Sequence, residues 1–190
     1  YQAIIANYQA LLAQQPQAET NDAIWYQLAK AYDYQANSEQ QLQALLALTG
    51  QHPQSVYSVE SHYRLGDIYY SRADYPNAQR HYQMVIDAGS SPYQLNAFYM
   101  RVWCFFKRSL YEQSLVSFST VLDQSLAEKS LTAIEASQQT LVNDTLHIMS
   151  VSFSYLNNGE SVAALFDEIG ARPYEPIVYQ QLAELLLNRE

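Results

Sequence analysis

Large apolar residues recur along the chain in short runs at helical spacing, and the runs themselves recur. The clearest example is SHYRLGDIYYSRADYPNAQRHYQMVID, residues 61–87, with Leu65, Tyr69, Ala78, Tyr82 and Val85 as its apolar skeleton and a polar break near Asp74. Residues 24–48 repeat the skeleton with Trp25, Leu28, Ala29, Tyr32, Leu45 and Leu48. Residues 97–121 do so again with Phe98, Val102, Phe105, Tyr111, Ser114, Phe118 and Val121. A weaker copy carries Leu146, Met149, Ser150, Phe153, Val162, Phe166 and Ile169, and a half-copy carries Tyr179, Leu182, Ala183 and Leu186. At the other end, Tyr8, Leu11 and Pro16 match Leu45, Leu48 and Pro53 at a shift of 37. Such a fixed period marks a repeat architecture.

Each copy holds one small residue: Ala29, Gly66, Val102, Ser150 and Ala183, at spacings of 37, 36, 48 and 33. Large apolar residues stand four before, one before and three after it, which is one face of an α-helix. The small residue lets a neighbouring helix approach closely. A second apolar run begins about a dozen residues on, so each unit reads as a helical hairpin that must stack on its neighbours to cover its apolar face. The predicted helices span residues 2–14, 22–35, 38–50, 56–72, 75–88, 94–108, 111–123, 138–157, 160–169 and 175–188. Pro16, Pro53, Pro92 and Pro173 fall between units, and Pro76 and Pro176 in first turns, where the missing N–H costs little. Gly50, Gly89, Gly159 and Gly170 are expected to form left-handed caps at helix ends.

The small-residue and aromatic skeleton resembles the tetratricopeptide repeat. The likeness is strongest over residues 22–123 and covers nearly the whole chain. It implies an all-α fold, an α-solenoid of stacked helix-turn-helix units in a right-handed superhelix. As one repeat domain over 1–190, the chain divides into a half repeat (1–17), repeats at 22–54, 59–92 and 95–123, an insertion (124–137), a degenerate repeat (143–174) and a half repeat (176–190). The sequence departs from the family at Gln41, Arg101 and Val102, where the family has a small residue, Leu and Gly. The helical rhythm already present at YQAIIANYQALLAQ, and unbroken at LAELLLNRE, makes a longer parent chain the expectation.

In a solenoid of this kind the first helices line a concave groove. The residues three before, one after and four after the small residue are then expected to face it. They are Tyr26, Lys30 and Asp33; Tyr63, Asp67 and Tyr70; Tyr99, Trp103 and Phe106; and His147, Val151 and Ser154. Of these, Tyr26, Lys30, Tyr63, Asp67, Tyr70, Tyr99, Trp103 and Phe106 are the candidate partner-binding residues. Aromatic patches of this sort mark contact sites, unless Trp103 and Phe106 are buried against the insertion or against further repeats of a longer chain. A groove clamping a carboxylate terminus is not expected, since Lys30 alone resembles a clamp residue.

Composition narrows the reading. Only 5 Gly and 6 Pro in 190 residues are too few to punctuate a sandwich or barrel. A net charge of −9 disfavours a nucleic-acid binder. No run is long and apolar enough for a membrane span. The 17 Tyr and 21 Gln give a surface with area and hydrogen-bonding capacity but little charge, suited to holding protein or peptide segments. His52, His62, His81 and His147 form no metal-ligand spacing, lone Cys104 sits among aromatics, and no phosphate loop or nucleophile motif occurs. The expectation is therefore a non-enzymatic adaptor without cofactor or metal. The repeat phrasing resembles that of Gram-negative envelope repeat proteins, implying a periplasmic or envelope setting, with the cytoplasm as the alternative. The runner-up function is architectural: self-association into a homo-oligomer, or a regulatory repeat domain of a larger protein.

Overall fold

A computed structural model describes residues 2–126 and 136–188, and those residues form ten helices and no strand. They are α1 (Gln2–Gln14), α2 (Asn21–Tyr34), α3 (Ser38–Gln51), α4 (Ser58–Ser71), α5 (Tyr75–Asp87), α6 (Gln94–Lys107), α7 (Tyr111–Leu126), α8 (Ala136–Ser154), α9 (Gly159–Ile169) and α10 (Glu175–Leu187). All ten start within two residues of the predicted spans; at their ends, α7 runs three residues further than predicted and α8 stops three residues earlier. The first three residues of the insertion thus continue α7 and its last two open α8; residues 127–135 of it lie outside the described residues.

Three tight turns explain why the apolar runs come in pairs. After α2, the N–H of Asn37 bonds back to the carbonyl of Tyr32 and that of Ala36 to Asp33, both at 2.9 Å. The same double bond closes α4 through Asp74 to Tyr69 and Ala73 to Tyr70, and α6 through Leu110 to Phe105 and Ser109 to Phe106. This motif satisfies the last carbonyls of a helix and needs a left-handed residue at its corner. Ala36, Ala73 and Ser109 fill that place with φ of 54°, 58° and 58°. The next residue already opens the following helix: the Asn37 and Asp74 side chains accept the N–H of Gln40 and Asn77. Of the four predicted glycine caps, Gly89 and Gly170 are left-handed (φ 84° and 83°). Gly50 instead lies inside α3, and Gly159 starts α9.

A non-glycine residue in the left-handed region costs about 1 kcal/mol. Ala36→Gly and Ala73→Gly are therefore each expected to stabilise the protein, by about 0.5–1 kcal/mol. A rise in the urea midpoint at unchanged m-value would check this.

The chain divides into two units, Tyr1–Ala97 and Phe98–Glu190. In the first, α2 packs on α3 and α4 on α5, while α1 lies against α2 and α3 against α4. Its core joins Leu28, Ala29 and Tyr32 of α2 to Leu42, Leu45 and Leu65, with Ile5 and Leu12 covering one end. Gly66 marks a close approach of α4 and α5. A Cβ built there would stand 2.5–2.8 Å from three ring carbons of Tyr82. The neighbouring helix that Gly66 admits is therefore α5, the second helix of its own hairpin.

In the second unit, α8 packs against both α7 and α10. Val102, Phe118, Val121, Met149, Phe153, Val162 and Val178 are fully buried. Arg101 keeps its place in the apolar stripe by laying its guanidinium over the rings of Phe98 and Phe105, at 5.5 and 5.8 Å. Tyr174, before α10, is buried and donates its hydroxyl to Asp123 at 2.9 Å, and Arg172 binds the same carboxylate at 3.1 Å. This ties the α9–α10 connection to α7. Burial and the Asp123 carboxylate raise the Tyr174 hydroxyl's pKa. Two core expectations differ from the structure: Ala183 and Tyr179 of α10 are exposed.

Candidate functional site

The predicted face of the first unit is built from α2 and α4. Tyr26 and Tyr63 were expected to be equally open, and they are not. Tyr26 is buried, 8% exposed, stacked face to face on Tyr57 at 4.3 Å. Its hydroxyl donates to Glu60 at 2.9 Å, and Lys30 holds its ammonium 5.4 Å from the Tyr26 ring centre. Tyr63 is half-buried, edge-on to Tyr82 and tilted against Tyr93 at 5.3 Å. Tyr70 sits edge-on to Tyr75. Asp67 is exposed and accepts the Tyr82 hydroxyl at 2.7 Å.

Glu60 links these rings. It takes Arg64 at 2.8 Å as well as Tyr26, and it bonds Tyr93. Burial opposes its charge, yet the bonds from Arg64, Tyr26 and Tyr93 outweigh that and hold the carboxyl below the usual range. Burial, then the Glu60 bond, pushes Tyr26 up to about 12, and burial pushes Tyr63 up to about 12. Although the residue is exposed overall, desolvation of its carboxyl beside Tyr82 raises Asp67 against the lowering effect of the Tyr82 bond. Beside this network lies an opening of about 290 Å³ lined by Asp33, Ser38, Gln41, Arg64, Asp67 and Ser71. Gln41, which departs from the family pattern, thus faces a polar opening. Donors and acceptors so arranged suit a peptide backbone and its polar side chains.

In the second unit the expected residues are all partly open. Tyr99 meets Trp103 edge-on at 6.2 Å, and Trp103 meets Phe106 at 5.6 Å. Phe106 then touches Tyr111 and Tyr155, which stack on each other at 4.8 Å. Tyr155 is 56% exposed and the other four rings are half-buried. Lys107 sits over the Trp103 ring at 5.8 Å. Edge-to-face contacts fix each ring by its neighbours, so the surface is held in shape before anything binds. In the fourth copy, His147 is exposed, and Val151 and Ser154 are half-buried.

Other candidate chemistry is occupied or closed. Cys104 is fully buried, and burial pushes its thiol up to about 12, which suits packing rather than nucleophilic attack. His62 and His81 face each other, Nδ1 to Nδ1 at 3.0 Å, with Tyr69 stacked flat on His81. Among the described residues no group of three or more His, Cys, Asp or Glu is placed to hold a metal.

Sequence reasoning missed Tyr57, Glu60, Arg64, Tyr93, Tyr111 and Tyr155. A signal for two of them was available. A tyrosine stands nine residues before the small residue in three copies, as Tyr57, Tyr93 and Tyr174. Tyr57 covers Tyr26, and Tyr93 covers Tyr63. Tyr26 and Tyr63 are thus each braced by a tyrosine at the start of the next hairpin, whereas Tyr70 meets Tyr75 of its own hairpin.

Helical hairpins repeated at this interval, with small residues at the crossing and left-handed corners between partners, define an α-solenoid of TPR-like repeats. The fold is similar to that of MamA, whose crystal structure matches at a TM-score of 0.58 and 12% identity, covering 97% of this chain and 88% of that one. It is also similar to a crystal structure of a Podosopora anserina kinesin light chain with nearly identical TPR-like repeats, at a TM-score of 0.58 and 11% identity, covering 95% and 83%. No family model and no curated protein matches the sequence. Identities this low speak for the fold alone.

Proposed function

We propose that this chain is a protein-interaction scaffold that holds segments of partner proteins on its first helices, α2 and α4 in one unit and α6 in the other. The observation that carries the reading is the ring cluster Tyr99, Trp103, Phe106, Tyr111 and Tyr155. Five aromatic side chains lie together at a surface, braced against one another and partly open. A core has no use for rings placed there, whereas braced aromatics are the commonest anchors of protein contacts. The hydrogen-bonding groups around Glu60 and Arg64 supply polar recognition in the first unit. No helix among the described residues is long and apolar enough to cross a membrane. The resemblance to envelope repeat proteins supports a place in a bacterial cell-envelope assembly, and Tyr26 acts in this reading from beneath, as support for its neighbours.

Trp103→Ala together with Tyr155→Ala is expected to preserve the helical circular-dichroism spectrum while weakening partner capture at least about tenfold, since such anchors contribute about 2 kcal/mol each. Quantitative pull-down from the native host reads this directly. Unchanged capture would refute the assignment.

A further inference from the structure

The second helices of successive hairpins stand apart, and three clefts open between them: α1–α3, α3–α5 and α7–α9. They differ in their rims. Gln9, Gln40 and Gln43 edge the first, Arg80 edges the second, and Glu112 and Glu168 edge the third. The α7–α9 cleft has a volume of about 220 Å³. Leu115 and Leu165 form its buried base with half-buried Leu156, and exposed Val116 and Ala164 form its walls. Glu112 lies one turn before Leu115 and Val116 on α7, and Glu168 one turn after Ala164 and Leu165 on α9. One carboxylate therefore stands on each wall, and both are exposed. The unit around them, residues 98–190, carries 6 basic and 11 acidic side chains, so its field also favours a cationic ligand.

We propose that the α7–α9 cleft docks a short protein segment bearing one aliphatic side chain flanked by Lys or Arg. The leucine-lined base removes an aliphatic group from water, and the two carboxylates meet the flanking cations. An acidic segment would be repelled by both walls, so the rims supply selectivity as well as attraction. Exposed charge pairs are weak and screened by salt, so the aliphatic anchor supplies the specificity and the cations the ionic-strength dependence. This surface lies on the second helices and stands independently of the aromatic face.

The test uses the whole chain and a fluorescein-labelled peptide, Gly-Lys-Lys-Leu-Lys-Lys-Gly, read by anisotropy. The control peptide has Ser in place of Leu. The expected result is that the Leu peptide binds about tenfold more tightly than the Ser peptide, in line with burying one aliphatic side chain. Ala164→Trp, which fills the cleft, and Val116→Lys, which places a cation in it, should each bring the Leu peptide down to the Ser level with helicity retained. Glu112→Gln with Glu168→Gln should weaken both peptides and flatten the salt dependence. Trp103→Ala with Tyr155→Ala should change nothing, which separates this cleft from the aromatic face. Equal binding of the two peptides, or Leu binding that survives both cleft variants, would overturn the proposal. So would sedimentation showing a dimer that Ala164→Trp dissociates, because the occupant would then be a second copy of the chain.

Discussion

Gly66→Ala is expected to destabilise the protein by about 1–2 kcal/mol, against the usual sign for that substitution. In the middle of a helix, alanine is favoured over glycine by about 1 kcal/mol. Here the added methyl would meet Tyr82 ring carbons at 2.5–2.8 Å. The ring has no room to retreat: it is fully buried, its hydroxyl is tied to Asp67, and Tyr63 lies against its edge. Overpacking of this kind costs about 1–3 kcal/mol, through shifted backbone or off-rotamer side chains. Tyr82→Ala should itself cost about 3–5 kcal/mol, by analogy with other buried aromatics. Once the ring is gone the clash goes too. In a double-mutant cycle, Gly66→Ala in the Tyr82→Ala background should therefore be neutral or mildly stabilising, giving a coupling of about 2–3 kcal/mol. Denaturant unfolding of the four proteins measures it. A stabilising Gly66→Ala in the wild-type background would mean that the hairpin does not depend on this close crossing.

The second large effect is an acid-side loss of stability centred on His62 and His81. Their Nδ1 atoms share a hydrogen bond at 3.0 Å, so one ring must donate and the other accept. Two imidazolium rings cannot do this. His81 is 5% exposed, and its Nε2 has no hydrogen-bond partner among the described residues. The adjoining cleft is lined by Leu46, Thr49, Gly50, Arg80 and Met84, without a carboxylate to welcome a proton. Burial first, then the charges of His62 and Arg80, push His81 down to about 4, and burial and Arg80 lower His62 in the same direction. A depressed histidine favours the folded state only while it is neutral. Its contribution is complete above the unfolded value of about 6.5 and is lost as pH falls through the interval down to about 4. From pH 7 to 4.5 the loss attributable to His81 is about 2 kcal/mol. Urea unfolding across that range, compared with His81→Gln, should show a shallower slope in the variant. Parallel pH profiles would contradict the account.

The repeat skeleton was legible because helical period, small crossing residues and turn spacing all point the same way. Leu28, Leu65, Tyr82, Phe118, Met149 and Phe153 are buried as the stripe requires. The corner geometry was not legible, because nothing in the composition of Ala36, Ala73 or Ser109 announces a positive φ; the bonds to Tyr32, Tyr69 and Phe105 impose it. Two of the four glycines misled, since Gly50 continues a helix and Gly159 starts one. At the candidate site, offsets picked out residues that share one face of each first helix. They did not foresee that Tyr57 would cover Tyr26, because that contact spans 31 residues and joins a helix to the start of the next hairpin. Nor does periodicity show a residue such as Tyr155, which lies beyond the end of α8.

The most direct test of the scaffold reading is site-specific photo-crosslinking of the full protein in its native host, with benzoylphenylalanine placed in turn at Tyr63, Trp103 and Val56. Val56 is 86% exposed in the α3–α4 connection and is not one of the candidate residues, so it reports random encounter. The account predicts that positions 63 and 103 each yield a discrete crosslinked protein that position 56 does not. Crosslinks from 56 alone, or the same faint background from all three, would contradict it.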